Sequence, residues 1–151
     1  MDKTDIADIA LLQILSKNAS VTATELTSKV NLSVPAINKR ISKLKATGII
    51  RRATILTDPK QVGKPITAFV LVVLDRVGDA DGLTRYVQTD PDVLECYAVT
   101  GEYDYLLKIC AADIEAFEEK LLRLKKSKGV SKSHTLLALQ ENKFTPSPLP
   151  D

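Results

Sequence analysis

The stretch LSVPAINKRISKLKATGII, Leu32 to Ile50, decides how this chain folds. Ser33 stands where a helix N-cap belongs. Pro35 follows in the first turn, where its missing N–H costs nothing. Ile37, Ile41 and Leu44 then recur at helical spacing as one apolar stripe, and Gly48 stops the helix. The opposite face presents Pro35, Ala36, Asn38, Lys39, Ser42 and Lys43. From Ser33 to Arg52 there are six basic residues (Lys39, Arg40, Lys43, Lys45, Arg51 and Arg52) and no acidic one. A charge run alone is usually a solvated face. A capped basic helix, entered from a second short helix through a tight turn, is the pattern of a major-groove reader.

The residues before it complete that unit. Asp5 to Lys17 reads as a helix with Ile6, Ile9, Leu12 and Leu15 at close to helical spacing. Asp5 and Asp8 lie in its first turn, where the helix dipole favours acids. Thr22-Ala23-Thr24-Glu25 is a capping-box pattern opening a second helix with Leu26 and Val30 inward. Asn31 tolerates the left-handed conformation that the turn requires. After the basic helix, Ile49 to Leu56 looks extended, and Arg51 and Arg52 sit where a wing would reach the DNA backbone. The expected DNA-contacting set is Ser33, Pro35, Ala36, Asn38, Lys39, Arg40, Ser42, Lys43, Arg51 and Arg52. Lys and Arg suit phosphates and guanine edges, Asn38 suits adenine, and Ala36 suits a thymine methyl.

Composition sharpens this division. The chain has 151 residues, 44% of them apolar, which fits one large or two small globular domains and excludes wholesale disorder. Its net charge is only +2, but residues 1–57 carry nine basic and four acidic side chains, whereas residues 58–151 carry twelve and fifteen. The front is therefore +5 and the rear −3. The longest apolar run, Ala68 to Leu74, is too short to span a bilayer. The first residues lack the basic-then-apolar pattern of a secretory signal. A cytoplasmic, nucleoid-associated protein with no membrane partner is expected. Cys96 and Cys110 read as reduced core thiols.

Residues 58–65 hold Asp58-Pro59 and Gly63-Lys64-Pro65 and read as a linker. Beyond it, Ile66–Leu74 is strand-like, Asp79–Thr89 a short helix, and Val93–Thr100 and Tyr103–Ala111 two strands joined at Gly101-Glu102. Asp113–Lys126 is an amphipathic helix, and Val130–Gln140 a last strand. The order β-α-β-β-α-β is the ferredoxin-like split unit. The fold class is thus α+β: a winged helix-turn-helix at residues 1–57, then a ferredoxin-like domain at residues 66–143. A Pro-rich tail over residues 144–151 completes the chain. A sheet with helices on one face should show polar residues on the other. Here Phe69, Leu71 and Val73 oppose Ala68, Val70, Val72 and Leu74, and Leu136 and Ala138 oppose Leu137 and Leu139. Both faces are apolar, which predicts a homodimer through this sheet rather than cover from the linker or tail.

Three of the four tyrosines (Tyr97, Tyr103 and Tyr105) gather around the turn Thr100-Gly101-Glu102-Tyr103-Asp104. Gly101 can expose backbone N–H groups to a small anion, and Asp104 offers a carboxylate to an ammonium. That pairing fits an amino acid zwitterion. The same residues also suit a plain hairpin turn. His134 is the lone histidine. It has no cysteine or second histidine nearby to suggest a metal, no nucleophile motif accompanies it, and no phosphate-cradling loop occurs. No catalytic residue, metal or cofactor is expected.

Leu32 to Ile50 resembles the recognition-helix signature of the Lrp/AsnC family of transcription regulators. Asp5, Asp8, Leu11-Leu12 and Leu15 fit that family's opening helix, and Glu25-Leu26 its second. ECYAVTGEYDYLLK, Glu95 to Lys108, resembles the stretch most characteristic of the family's effector-binding domain, and Gly129-Val130 with Thr135 and Leu139 its last strand. The resemblance runs from about Asp5 to Lys143. Ser20 departs from a common Arg, and Asn31 from a common Gly. The resemblance implies a regulator that binds double-stranded DNA and assembles as an octamer or another multiple of dimers. It also implies a free amino acid bound near Thr100, Gly101, Glu102, Tyr103, Asp104 and Thr135. Two alternatives stand beside it: an architectural DNA-binding protein with no effector, and an enzyme on the same architecture, such as a haem-pathway decarboxylase.

Overall fold

The computed structural model describes residues 5–75, 80–126 and 129–150. The chain divides into two compact units, Met1–Leu56 with Lys143–Asp151, and Thr57–Asn142.

The first unit holds three helices, α1 (Ile6–Lys17), α2 (Ala23–Val30) and α3 (Val34–Ala46). Asp5 caps α1, its carboxylate accepting the Asp8 N–H at 2.9 Å. The capping box of α2 forms as the sequence predicts: Thr22 N–H donates to Glu25 Oε2 at 2.8 Å, and Glu25 N–H to Thr22 Oγ1 at 3.2 Å. Asn31 closes α2 at φ 52°, ψ 46°, the left-handed conformation its side chain tolerates. Leu11, Leu26 and Ile37 meet in the core, with Ile14, Leu15, Val21, Val30 and Ile41 packed around them.

Three expectations change here. The inward stripe of α1 runs through Asp8, Leu11 and Leu15, while Ile6 is 87% exposed. Leu11 and Leu15 lie one turn apart, and Asp8 can join them inside because it has a charge partner on α3. Ser33 occupies the N-cap of α3, but its side chain makes no capping hydrogen bond. Ile49 to Leu56 carries no strand ladder and is mostly exposed.

The second unit contains β1 (Ile66–Leu74), α4 (Ala80–Thr89), β2 (Val93–Ala98), β3 (Tyr105–Ala111), α5 (Ile114–Lys126) and β4 (Val130–Leu137). The expected start of α4 at Asp79 lies outside the described residues. The sheet order is β2-β3-β1-β4, and every pairing is antiparallel. β3 and β1 form the centre of the sheet, α4 links β1 to the outer strand β2, and α5 links β3 to the outer strand β4, which is the ferredoxin-like arrangement. Ala68, Val70, Val72, Leu107 and Ile109 face the helices and bury against Leu83, Phe117 and Leu124. Asp113 caps α5, accepting the Ala116 N–H at 2.8 Å.

The strands are shorter than their apolar runs. β4 ends at Leu137, so Leu139 stands 97% exposed beyond it. β2 ends at Ala98 and β3 begins at Tyr105, leaving a broader turn than Gly101-Glu102 alone. The face of the sheet away from the helices carries Phe69 and Leu71 on β1, Leu106 on β3, Tyr97 on β2, and His134 and Leu136 on β4. Tyr97 is 54% and Leu136 50% exposed. Among the described strand residues, the charges on this face are the Glu95–Lys108 pair at 3.3 Å and the end residue Lys132.

Candidate functional site

The α2–turn–α3 segment has the geometry of a reading helix on a fixed support. Ile37 and Leu44 are buried and Ile41 half-buried against the core. One turn of helix advances 3.6 residues, so the face away from this stripe holds Pro35, Asn38, Lys39, Ser42 and Lys43, all exposed. Ser33 is exposed at its start, whereas Ala36 is half-buried and offers less of its methyl than the sequence predicts. Arg51 and Arg52 are exposed on the segment that follows. Gly48 takes φ 77°, the left-handed conformation that turns the chain off α3.

Arg40 does not join this face. Its Nη1 donates to Asp5 Oδ2 at 2.6 Å and to Asp8 Oδ1 at 2.8 Å. Asp8 is only 6% exposed, the sole buried charged residue among those described. The Asp8 N–H bond, followed by the Arg40 contact, holds the Asp5 carboxyl below the usual carboxylate range, and the two carboxylates hold Arg40 above its own. Asp5 with a lowered pKa stabilises the fold at neutral pH and loses that contribution as acid protonates it.

The turn between β2 and β3 is bound into the sheet. Val99 N–H donates to Asp104 C=O and Asp104 N–H to Val72 C=O, both at 2.9 Å. The Asp104 carboxylate accepts the Leu74 N–H at 2.7 Å. Gly101 takes φ 112°, a conformation that residues with a side chain rarely adopt and that glycine enters without strain. Thr100, Gly101, Glu102 and Asp104 are exposed, and Tyr103 is half-buried. Thr135 pairs with Val70 and so lies on the face of β4 that packs towards the helices. His134, which the sequence offers only as an ordinary polar residue, is brought to the turn: its ring lies 6.3 Å from that of Tyr103. Only strand register reveals this, since thirty residues separate the two in sequence. Burial raises the Cys96 thiol pKa and Cys110 is buried, so neither is a poised nucleophile. Among the described residues no group of three or more His, Cys, Asp or Glu is placed to hold a metal ion.

Residues 67–148, which include all four strands apart from Ile66, match the family model for the Lrp/AsnC ligand binding domain. The first unit matches a winged helix-turn-helix DNA-binding model over residues 4–51. The chain belongs to the Lrp/AsnC family. Among its relatives is the glutamate uptake regulatory protein of Zymomonas mobilis, 34% identical over 97% of this chain and 92% of that one. The transcriptional regulator AzlB of Bacillus subtilis is 32% identical over 95% and 93%. A Neisseria meningitidis transcriptional regulator solved as an L-Met complex superposes with a TM-score of 0.92, at 34% identity over 98% and 97% of the two chains. AsnC of Escherichia coli gives a TM-score of 0.86 at 28% identity, over 93% and 95%. This Lrp/AsnC chain is a DNA-binding transcription regulator, and the enzyme alternative is set aside with that assignment.

Proposed function

We propose that this Lrp/AsnC regulator reads duplex DNA with the exposed face of α3 and joins a second copy through the open face of its sheet. Free amino acid binds at the Thr100–Asp104 turn, and the protein works in the cytoplasm on the nucleoid. Ser33, Pro35, Ala36, Asn38, Lys39, Ser42 and Lys43 supply the reading face, with Arg51 and Arg52 on the adjoining backbone. The observation that carries the reading is the side-by-side exposure of Asn38, Lys39, Ser42 and Lys43 on a helix whose other side is fixed in the core. A paired assembly presents two such helices to two half-sites, and linkage multiplies two weak contacts. An amino acid that prefers one assembly state then shifts DNA occupancy by thermodynamic coupling.

The deciding experiment replaces Lys39 and Lys43 together by alanine. The log–log salt dependence of DNA binding should flatten by up to about 2, and affinity at physiological salt should fall about tenfold. An unchanged slope in a gel-shift titration removes these lysines from the interface.

For the turn, Asp104→Asn is the informative change. Asparagine keeps an acceptor for the Leu74 N–H and removes only the charge offered to an ammonium. Loss of one charge-assisted contact should weaken amino acid binding about tenfold or more, with the melting temperature almost unmoved. Calorimetric titration across a panel of amino acids reads the first quantity, and a retained affinity sinks the assignment. The Asp104–Leu74 bond also gives Asp104 a role without any effector, which favours the architectural reading as the second one. A panel in which no amino acid raises the wild-type melting temperature selects it.

A further inference from the structure

We infer that Arg40, a basic residue of the recognition helix, acts on DNA reading as a positioning residue, by clamping α3 in one rotation about its own axis. This rests on the proposal that α3 reads DNA. Arg40 stands three residues after Ile37 and four before Leu44, both buried, so helical periodicity puts it at the border of the inward stripe. Its guanidinium reaches the start of α1, where one nitrogen holds the N-cap carboxylate of Asp5 and the buried carboxylate of Asp8. Asp5 in turn accepts the Asp8 N–H through its other oxygen. The three residues form a closed polar triangle fastening the first turn of α1 to the middle of α3.

The apolar contacts of α3 tolerate small rotations, because Leu11, Leu26 and Ile37 make non-directional contacts. A guanidinium shared between two fixed carboxylates is directional and tolerates little. Rotation of α3 would swing Asn38 and Lys39 along the groove, and base-edge contacts need placement to within about 0.5 Å and 10–20°. Phosphate contacts are less demanding. The clamp therefore governs sequence discrimination more than general DNA affinity.

The test compares the full chain with Arg40→Met and Arg40→Lys on two duplexes. One is selected by the wild-type chain from a random-sequence pool, and the other is a scrambled duplex of equal length. Arg40→Met should weaken binding to the selected duplex at least about tenfold, leave the scrambled duplex within about twofold, and keep the wild-type salt slope. Arg40→Lys, which retains the charge between the carboxylates, should recover most of the loss. A slope shallower by about 0.9 with equal weakening on both duplexes would place Arg40 on a phosphate and overturn the proposal. Unchanged discrimination beside a lowered melting temperature would reduce Arg40 to fold stability and overturn it too. If Arg40→Met does not fold, Asp5→Asn takes its place, since it keeps the cap acceptor and removes one anchor. It should lose affinity on the selected duplex alone, and unchanged discrimination again overturns the clamp. A wild-type salt slope and wild-type affinity on both duplexes in the Lys39→Ala, Lys43→Ala variant would instead count against the reading face of α3, a failure separable from that of the clamp.

Discussion

Lys120→Met is expected to destabilise the second unit by about 2 kcal/mol and lower its melting temperature by about 10 °C. Lys120 lies on α5 and reaches Asp90 Oδ1 at 2.9 Å and Asp92 Oδ2 at 2.9 Å. Its side chain keeps 13% of its exposure and those of the aspartates 9% and 15%. Lys64, from the segment leading into β1, pairs with the same Asp92. The Tyr86 hydroxyl donates to the Lys120 carbonyl at 3.2 Å, and burial, with the charge of Asp90 beside it, pushes the phenol up to about 12. Methionine matches the lysine stem but leaves two poorly hydrated carboxylates side by side. A fully enclosed pair loses about 3–5 kcal/mol on removal of one partner. The residual exposure here places the expected loss below that range.

The pH dependence has a definite sign. Burial pushes the Asp92 carboxyl up, but hydrogen bonds from Lys64 and Lys120 outweigh it and the pKa ends below its ordinary value. Its contribution is present at neutral pH and disappears as pH falls through that lowered value. Burial pulls Lys120 down, its bonds to Asp90 and Asp92 outweigh that, and its pKa ends above the ordinary lysine value. Its contribution is present below the ordinary lysine range and disappears as pH rises through the raised value. The wild-type unit should hold a flat stability plateau across neutral pH. In Lys120→Met the acid limb should move to higher pH, because burial of Asp92 is then less opposed. Thermal unfolding from about pH 2 to pH 9 reads the plateau and the acid limb. An acid limb that stays in place would show that Lys120 does not carry the cluster.

The contrast between such clusters and the helix caps explains what the sequence reveals. Thr22 and Glu25, three residues apart, make a capping box visible as a spacing, and Asn31 and Gly48 announce left-handed turns by residue type alone. The α/β order of the second unit follows from apolar runs broken by glycine, proline and acid. Hidden are the contacts that close across sequence distance. Arg40 reads as one more cation on a basic helix until Asp5 and Asp8 are folded beside it. Lys120 is one polar position of an amphipathic helix in the sequence until the loop carrying Asp90 and Asp92 reaches it. The strand is expected to begin at Tyr103, yet β3 begins at Tyr105 and Asp104 lies in the turn, bonded to Val72 and Leu74. Thr135 and His134 are neighbours in sequence, and strand parity sends them to opposite faces.

The open sheet face permits the sharpest test of assembly. Leu136→Lys is expected to raise the dissociation constant of the proposed dimer about hundredfold. Leu136 lies on the edge strand β4 opposite Phe69 and is 50% exposed, so one chain accommodates a lysine there at little cost to its fold. The cost arises when the face is covered. A self-complementary interface carries the change twice, once on each copy, and each buried ammonium loses hydration against Phe69, Leu71 and Leu106. About 1.4 kcal/mol per copy suffices for the hundredfold effect. Wild-type protein should have the solution mass of a multiple of two chains, and the variant should shift towards one chain at micromolar concentration with an unchanged circular dichroism spectrum. DNA affinity should drop with it, although Leu136 belongs to the unit that does not read DNA, because separated heads lose the effective concentration that linkage provides. Retained mass in the variant would move the interface off this face. A wild-type chain that is monomeric at the same concentration would remove the dimer from the mechanism and leave each recognition helix to bind alone.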